Sequence, residues 1–385
     1  MSNINLKRFV DINIQQHIAS SIRGTRDTVA LFTPEGTLGQ TKTISSLSQA
    51  ISEYGDYETT LAYLTMYFVN SGVKAYVIEG VELEDLTANM IAELNNEIIL
   101  VAYAGADEDV DDTYLALKEI AIERNDDAEI YGINEKLILS RVNLPSPILD
   151  TDNIPILDTN GDEILDTAEL DEDEVRNFVV KCSRVLGAEM TIAAYLTKIN
   201  TYNSDTVYDY MFTAENIEEE DISDSFYEAI IATNLNIDIR LSGAIRNCGG
   251  NCKNGADIVN TFVRIVLHQT VTDRLIELLT QKIKNSSGVS KIYSTLSEEL
   301  EKYRICGYLT TDKIWTDNTM KVVVNDVEYT IIEKGTALTS GYQVKILPIT
   351  SLTAEDKIQR KAPRVYVILA DQYGIRSITI SGEVI

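Results

Sequence analysis

The chain has 385 residues, 44% hydrophobic and 24% charged, ordinary values for a globular protein that buries a sizeable core; at roughly 150 residues per domain the length predicts two domains or three. With 33 Lys+Arg against 60 Asp+Glu, the formal charge of −27 excludes general nucleic-acid binding, which needs clustered cations, and disfavours direct binding to an anionic membrane. No apolar run approaches the ~20 residues of a spanning helix, and the opening MSNINLKRFVDINIQQ lacks the apolar core of a secretory signal, so synthesis and folding in a cytosol are expected.

The first 27 residues read as an arm in which Ile4, Leu6, Val10, Ile12 and Ile14 share one parity, the alternation of a half-buried strand. A strand over 29–32 is closed by Pro34 and Gly36. Ser45 or Ser46 can cap a helix reaching Tyr54, with Gly55 as its stop. A helix over 58–70 carries Leu61, Leu64 and Phe68 on one face, and Ser71-Gly72 breaks it before a strand at 73–78. The rhythm continues with a helix near 83–94, a strand at 98–104, a helix over 112–124 and a strand at 137–139. This alternation predicts an α/β layer. A helix is expected over 172–186. The run 215–228 holds seven acids and no base, the pattern of a solvated loop or helix face.

From Leu235 the pattern changes. Ile237 and Ile239 alternate in a strand, NCGGNCKNG (247–255) is turn-rich, and a long helix follows over 257–284 with Asp257 as its cap. That helix is apolar on much of its circumference and is expected to be largely buried. A shorter helix covers 295–303 and stops near Gly307. Strands are predicted at 321–324, 329–333, 342–348, 364–370 and 376–384, the last with Ile378, Ile380 and Val384 on one parity. Both chain ends are thus strand-like, and each either pairs into its own core or reaches into a neighbour by strand addition.

The charge is unevenly placed. Residues 1–50 carry 5 basic and 3 acidic side chains, residues 51–239 carry 9 and 42, and residues 240–385 carry 19 and 15. Two near-neutral ends enclose a middle of net −33, a charge that favours solubility.

Chemistry-bearing motifs are sparse. Ile-Leu-Asp-Thr recurs at 148, 156 and 164. Within the repeat, Asp158, Asn160, Asp162, Asp166 and Glu169 fall at positions 1, 3, 5, 9 and 12 of a calcium loop. Position 6, where that loop needs glycine, is Glu163, and Asn160-Gly161 is a strong hairpin signal. A β-hairpin is therefore the favoured reading, and a calcium-binding surface or adhesion module the alternative. Cys248 and Cys252 form a C-x₃-C pair that, with Cys182 and Cys306, suggests either a four-sulfur zinc site or a reduced, inert loop, the latter favoured. Only His17 and His268 are present, and His268 falls inside the long helix with no nucleophile near it in sequence. No catalytic residues and no cofactor are assigned beyond that calcium alternative, and no enzyme activity is expected. The 20 tyrosines, against 7 Phe and 1 Trp, suit partly exposed contact surfaces.

Four stretches, taken in order, carry a family resemblance. They are RFVDINIQ…RGTRDTVALFTPEG; ISSLSQAISEYG…TTLAYLTMYFVNSGVKAYVIEG; GADIVNTFVRIVLHQTVTDRLIELLTQ; and AEDKIQRKAPRVYVILADQYGIRSITISGEVI. Together they resemble the contractile phage tail sheath proteins, a family also found in tail-like bacteriocins and related contractile injection systems. The resemblance spans most of the chain, although 150–174 maps onto no shared feature.

The resemblance implies a virion structural protein: a homo-oligomer of stacked, hexameric rings around a tail tube protein, bounded by baseplate and tail terminator proteins. It implies a particle assembled in the host bacterial cytoplasm and located in a virion tail or tail-like particle, with no nucleic-acid or membrane ligand. The expected architecture is α/β (α+β). An N-terminal strand arm (1–28) joins an inner polymerisation domain with a C-terminal strand arm (235–385), and an acidic outer α/β domain (29–234) is inserted between them. The terminal strands would be exchanged between subunits through Val10, Ile12, Ile14, Ile378, Ile380 and Val384. Arg274, Lys282 and Lys284, on an inner-domain helix, are the candidates for contact with an acidic tube.

Overall fold

Several short runs of this chain are apolar on both parities: TVALF, LVAY, LILSRV and FVVKC. A strand with that pattern can be buried on both faces, which suits a parallel sheet covered by helices. In the computed structural model, which describes residues 27–95, 98–126, 136–144, 175–199, 209–280, 285–311 and 313–370, they form such a sheet. The described residues divide into two units, a larger one within 27–199 and 209–262 and a smaller one within 263–370.

In the larger unit, β1 (Thr28–Phe32) lies between β3 (Lys74–Ile78) and β4 (Leu100–Tyr103). Next come β5 (Leu137–Val142) and β6 (Phe178–Cys182), all parallel, while β2 (Thr41–Ile44) runs antiparallel along the outer edge of β3. Taken alone, the five parallel strands follow the doubly wound 2-1-3-4-5 order. The connecting helices are α1 (Leu47–Tyr54), α2 (Glu58–Val69), α3 (Ala88–Ala92), α4 (Val110–Asp126), α5 (Met190–Leu196) and α6 (Asp224–Ala232).

One face of the sheet, through Phe32, Val101, Ile138 and Phe178, packs on Ile91 of α3, Leu117 of α4 and Ile230 of α6. On the other face α2 packs on α1 and α5. Side chains such as Val101 and Phe178 are fully buried, each contributing about 1.5–3 kcal/mol of transfer free energy. Helix starts follow the caps legible in sequence: the Ser46 hydroxyl accepts the Gln49 amide at 3.2 Å. The strand β7 (Ile237–Leu241) forms a hairpin with β8 (Ala244–Cys248).

The helix α7 (Ile258–Thr280) begins in the larger unit and ends in the smaller. Its Asp257 cap accepts the Asn260 amide at 2.8 Å, and residues from Ile258 to Leu278 are buried along it. In the smaller unit α8 (Asn285–Ile305) follows, then β9 (Met320–Val324) paired with β10 (Val327–Ile332). The strand β11 (Tyr342–Ile346) and the short helix α9 (Ala354–Ile358) precede β12 (Val365–Leu369), which pairs with β11. Asn325 and Asp326, at φ 52° and 63°, supply the two left-handed positions that a tight hairpin turn requires. A separate small core gathers Ile331, Leu347, Tyr366 and Ile368, with Trp315 packed against them.

Four expectations change. The helix expected over 172–186 is instead β6, because a strand buried on both faces reads as a continuous apolar run, with no period to separate it from a buried helix. The helix expected near 83–94 shortens to a 3-10 turn at Leu83–Asp85 and the five residues of α3. The acidic run 215–228 is not simply solvated: Glu220 and the Glu215 side chain are buried. Among the described residues many tyrosines are interior instead of partly exposed: Tyr54, Tyr63, Tyr67, Tyr103, Tyr114, Tyr210, Tyr303, Tyr308 and Tyr366 are all buried.

Candidate functional site

In a doubly wound sheet, ligands bind outside the carboxyl ends of the strands where the order reverses, here between β1 and β4. Those ends are filled by the chain itself. Thr33, just after β1, is fully buried, and its hydroxyl meets that of Thr60 on α2 at 2.7 Å. Thr60 in turn donates its amide to Glu35 at 2.8 Å. After β4, Gly105 lies so close to Thr113 that an added Cβ would stand 2.3 Å from its hydroxyl oxygen. Arg141 on β5, almost fully buried, donates to Asp107 at 2.6 Å and to Asn143 and the Ser183 carbonyl at 3.0 Å each.

After β3, Glu79 accepts from the Thr37 amide at 2.9 Å and the Tyr54 hydroxyl at 2.8 Å, and pairs with Lys42 at 2.9 Å. Burial opposes its charge, but these donors hold its carboxyl below the usual range. The polar groups at this end of the sheet bind one another, which is a structural arrangement.

The densest charge cluster lies on β6. Lys181 sits inside an apolar strand and is fully buried, so its ammonium must find acceptors within the protein. It donates to the Thr191 hydroxyl of α5 at 2.7 Å, to Tyr210 at 3.2 Å and to Glu215, and stands 2.8 Å from Asp238 of β7. Tyr210 also donates to Glu215. Burial pushes the Asp238 carboxyl up to about 8, against the pull of Lys181 and with Glu215 adding to the rise.

Backbone hydrogen bonds sew the stretch 209–220 to the β7–β8 hairpin: Phe212 to Asn247, Asn247 to Thr213, Glu215 to Ile245 and Glu220 to Asp238. Glu220 also receives the Ser183 hydroxyl and the Arg184 amide, both at 2.8 Å.

The turn-rich loop after β8 is organised by Asn236. Its side chain donates to the carbonyls of Val180 and Asn251 and accepts the Gly250 amide. Gly249, at φ 118°, has no room for a Cβ, which would stand 2.8 Å from the Leu235 carbonyl oxygen. Cys182, Cys248, Cys252 and Cys306 are all buried and none is in a disulfide. Burial pushes the Cys182 thiol up to about 12 and the Cys248 thiol to about 11. Since the thiolate is the reactive form, a thiol reagent at pH 8 should label these cysteines only as the protein unfolds. Rapid labelling of the native chain, measured by mass spectrometry, would contradict the buried placement.

The sequence candidates are scattered. Arg274 lies on α7, where its guanidinium meets Glu299 at 2.9 Å and Glu277 at 3.0 Å. Lys282, Lys284, the strand residues Val10, Ile12, Ile14, Ile378, Ile380 and Val384, and the loop residues Asp158, Asn160, Asp162, Asp166 and Glu169 all lie outside the described residues. Among the described residues no group of three or more His, Cys, Asp or Glu side chains is placed to hold a metal ion, and no helix is long and apolar enough to cross a membrane. The Lys181 cluster and the Asn236 anchor were not anticipated. A lone lysine within FVVKC was the available signal, because such a residue demands a buried carboxylate.

The architecture is that of a known solved structure. It superposes on the helical sheath of the anti-feeding prophage in its contracted state with a TM-score of 0.58 over 95% of both chains, at 13% identity. The chain has the contractile tail sheath fold. A second sheath-fold match is to the anti-feeding prophage baseplate in its contracted state, with TM-score 0.56, 14% identity and coverage of 96% of this chain and 94% of the other. A sheath tail protein from Desulfitobacterium hafniense, at TM-score 0.48 and 7% identity over 78% of this chain and 91% of its own, is too distant to fix a shared fold. No protein-family model matches the sequence, and no curated protein matches it. The sheath fold thus persists here at very low identity, in keeping with a likeness carried by apolar patterning and turns.

Proposed function

We propose that this chain is the repeating structural subunit of a contractile sheath. It would polymerise helically, as stacked hexameric rings, around a tail tube, and shorten to drive that tube through a target cell envelope. The observation that carries the reading is the end-to-end superposition on the anti-feeding prophage sheath, 95% of each chain, which leaves little of the molecule over for a separate activity. The filled carboxyl end of the parallel sheet supports a structural role over an enzymatic one. In this reading 1–28 and 235–385 build the inner, polymerising part and 29–234 the acidic outer part. The terminal strands pass between subunits, and Arg274, Lys282 and Lys284 face the tube. Baseplate and terminator proteins cap the polymer, which belongs to a virion tail or tail-like particle assembled in the bacterial cytoplasm.

A donated strand gains several backbone hydrogen bonds, each worth roughly 1 kcal/mol net, together with the burial of Ile and Val side chains. Its stem can flex while the bodies it joins rotate. Electron microscopy of the purified protein should show rings or tubes, and removal of 375–385 should leave monomers whose circular dichroism is that of a folded chain. A wild-type protein that stays monomeric at every concentration and salt would overturn the sheath reading. A truncated protein that still polymerises would overturn only the strand exchange.

A further inference from the structure

Around Lys181, hydrogen-bond bookkeeping decides which groups are charged. Glu215 has two donors aimed at it, the Lys181 ammonium on one carboxylate oxygen and the Tyr210 hydroxyl on the other. Asp238 is fully buried, and the donor beside it, the Lys181 ammonium 2.8 Å from Oδ2, already directs its three hydrogens to Thr191, Tyr210 and Glu215. A buried carboxylate short of donors is strongly disfavoured, whereas a neutral carboxyl carries its own donor. Asp238 is within hydrogen-bonding reach of Glu215, so its hydroxyl can donate there. Were both acids ionised, one cation would face two anions in a site sealed from water. One retained proton makes the site neutral, the usual outcome when two carboxylates share a small space.

We propose that Lys181, Glu215 and Asp238 form a proton-holding clamp, with the retained proton on Asp238, that fastens residues 209–220 and the β7–β8 hairpin to β6. The groups facing it from each packed element are Thr191 and the preceding Glu189 on the α5 side, Tyr210 and Glu215 in the 209–220 stretch, and Cys248 on β8. Glu189 is itself buried, and that burial pushes its carboxyl up against the pull of Arg141. Lys198 contributes a more distant positive charge felt by Glu215. The inference rests on this unit alone and holds whether or not the chain forms a sheath.

The folded chain keeps a proton on Asp238 that the unfolded chain releases near pH 4. Stability therefore falls as pH rises between those limits, by up to about tenfold in the folded-to-unfolded ratio per pH unit. Alkali loosens the clamp and mild acid tightens it.

Asp238→Asn and Glu215→Gln separate the roles, using the full chain and chemical denaturation from pH 5.5 to pH 9. Asp238→Asn keeps the neutral form at every pH, so its pH dependence should flatten, and at pH 9 it should be at least as stable as wild type. Glu215→Gln removes the counter-ion of Lys181 and should lower the folded-to-unfolded ratio at least tenfold at pH 7. Infrared spectra of the native wild-type chain at pH 7 should contain a protonated-carboxyl component that titrates away in alkali and is missing from the otherwise identical spectrum of Asp238→Asn. Equal losses in the two variants, an unchanged pH slope in Asp238→Asn, or no protonated-carboxyl band would each overturn the clamp. The infrared measurement decides the matter even if Asp238→Asn does not fold.

Discussion

Replacing Lys181 by methionine is expected to destabilise the fold by about 3–5 kcal/mol, the cost typical of removing one partner from a buried ion pair. Methionine fills much of the same volume, so the loss is electrostatic and does not come from a cavity. Glu215 loses its cation, Thr191 and Tyr210 lose a donor, and Asp238 loses the charge 2.8 Å from its Oδ2. In a unit of this size the loss corresponds to a Tm lower by roughly 10 °C. Without the ammonium the buried Asp238 carboxyl, already raised, is pushed up further. Lys321→Met is the matched control: that lysine pairs with Glu328 at 2.8 Å on an exposed strand surface, where an ion pair contributes little. Denaturant titrations of the two variants at pH 7.5 check the prediction. Equal effects at both sites would mean that the buried cluster contributes no more than a surface pair.

What was legible in the sequence was governed by local rules. The cap at Ser46, the break at Ser71-Gly72 and the Asp257 cap act within a few residues, and the helices α1, α2 and α7 start or stop close to where these signals put them. Apolar runs such as LVAY marked β4, since a short apolar run between turn signals, too short for a helix of several turns, suits a doubly buried strand. The element most seriously misread, β6, lacks a period, so its apolar run could not be told from a buried helix. β2, TKTI, was missed because an edge strand with three polar residues looks like loop.

The site was not legible for a different reason. Lys181, Thr191, Tyr210, Glu215 and Asp238 converge from a span of 58 positions, and no spacing rule links them until the sheet and the β7–β8 hairpin are placed. The acidic run showed where carboxylates were abundant. It could not show that Glu215 and Glu220 turn inward while Glu218 and Glu219 stay exposed. The tyrosines misled in a similar way. A phenol that finds a partner is as much a core residue as phenylalanine, and Tyr54, Tyr67 and Tyr210 each find one.

Asn236→Ala is expected to cost about 2–5 kcal/mol, because one side chain makes three hydrogen bonds at once. Its amide donates to Val180 of β6 at 3.0 Å and to Asn251 of the loop at 2.9 Å, while its oxygen accepts the Gly250 amide at 2.6 Å. Losing a partner inside a protein costs about 1–3 kcal/mol per group. The Val180 carbonyl is spared, since it also accepts the Asn236 backbone amide at 3.0 Å, leaving the Gly250 and Asn251 bonds as the main losses. Those two hold the loop in register with α7, whose first residue donates its amide to the Gly250 carbonyl at 3.0 Å. The loop cannot readily close over the gap, because Gly249 already approaches Leu235 and Asn236 as closely as a glycine allows. Asn234→Gly provides the contrast: the Asn234 side chain makes a single 3.2 Å bond to Lys253 from a half-buried position, glycine keeps its left-handed backbone at φ 58° without strain, and the change should cost less than half as much. Proteolysis of the native variants should cut the Asn236→Ala loop between 249 and 256 well before that of Asn234→Gly. Similar stability and similar cutting in the two variants would show that the loop is held by its own backbone turns, with Asn236 contributing little.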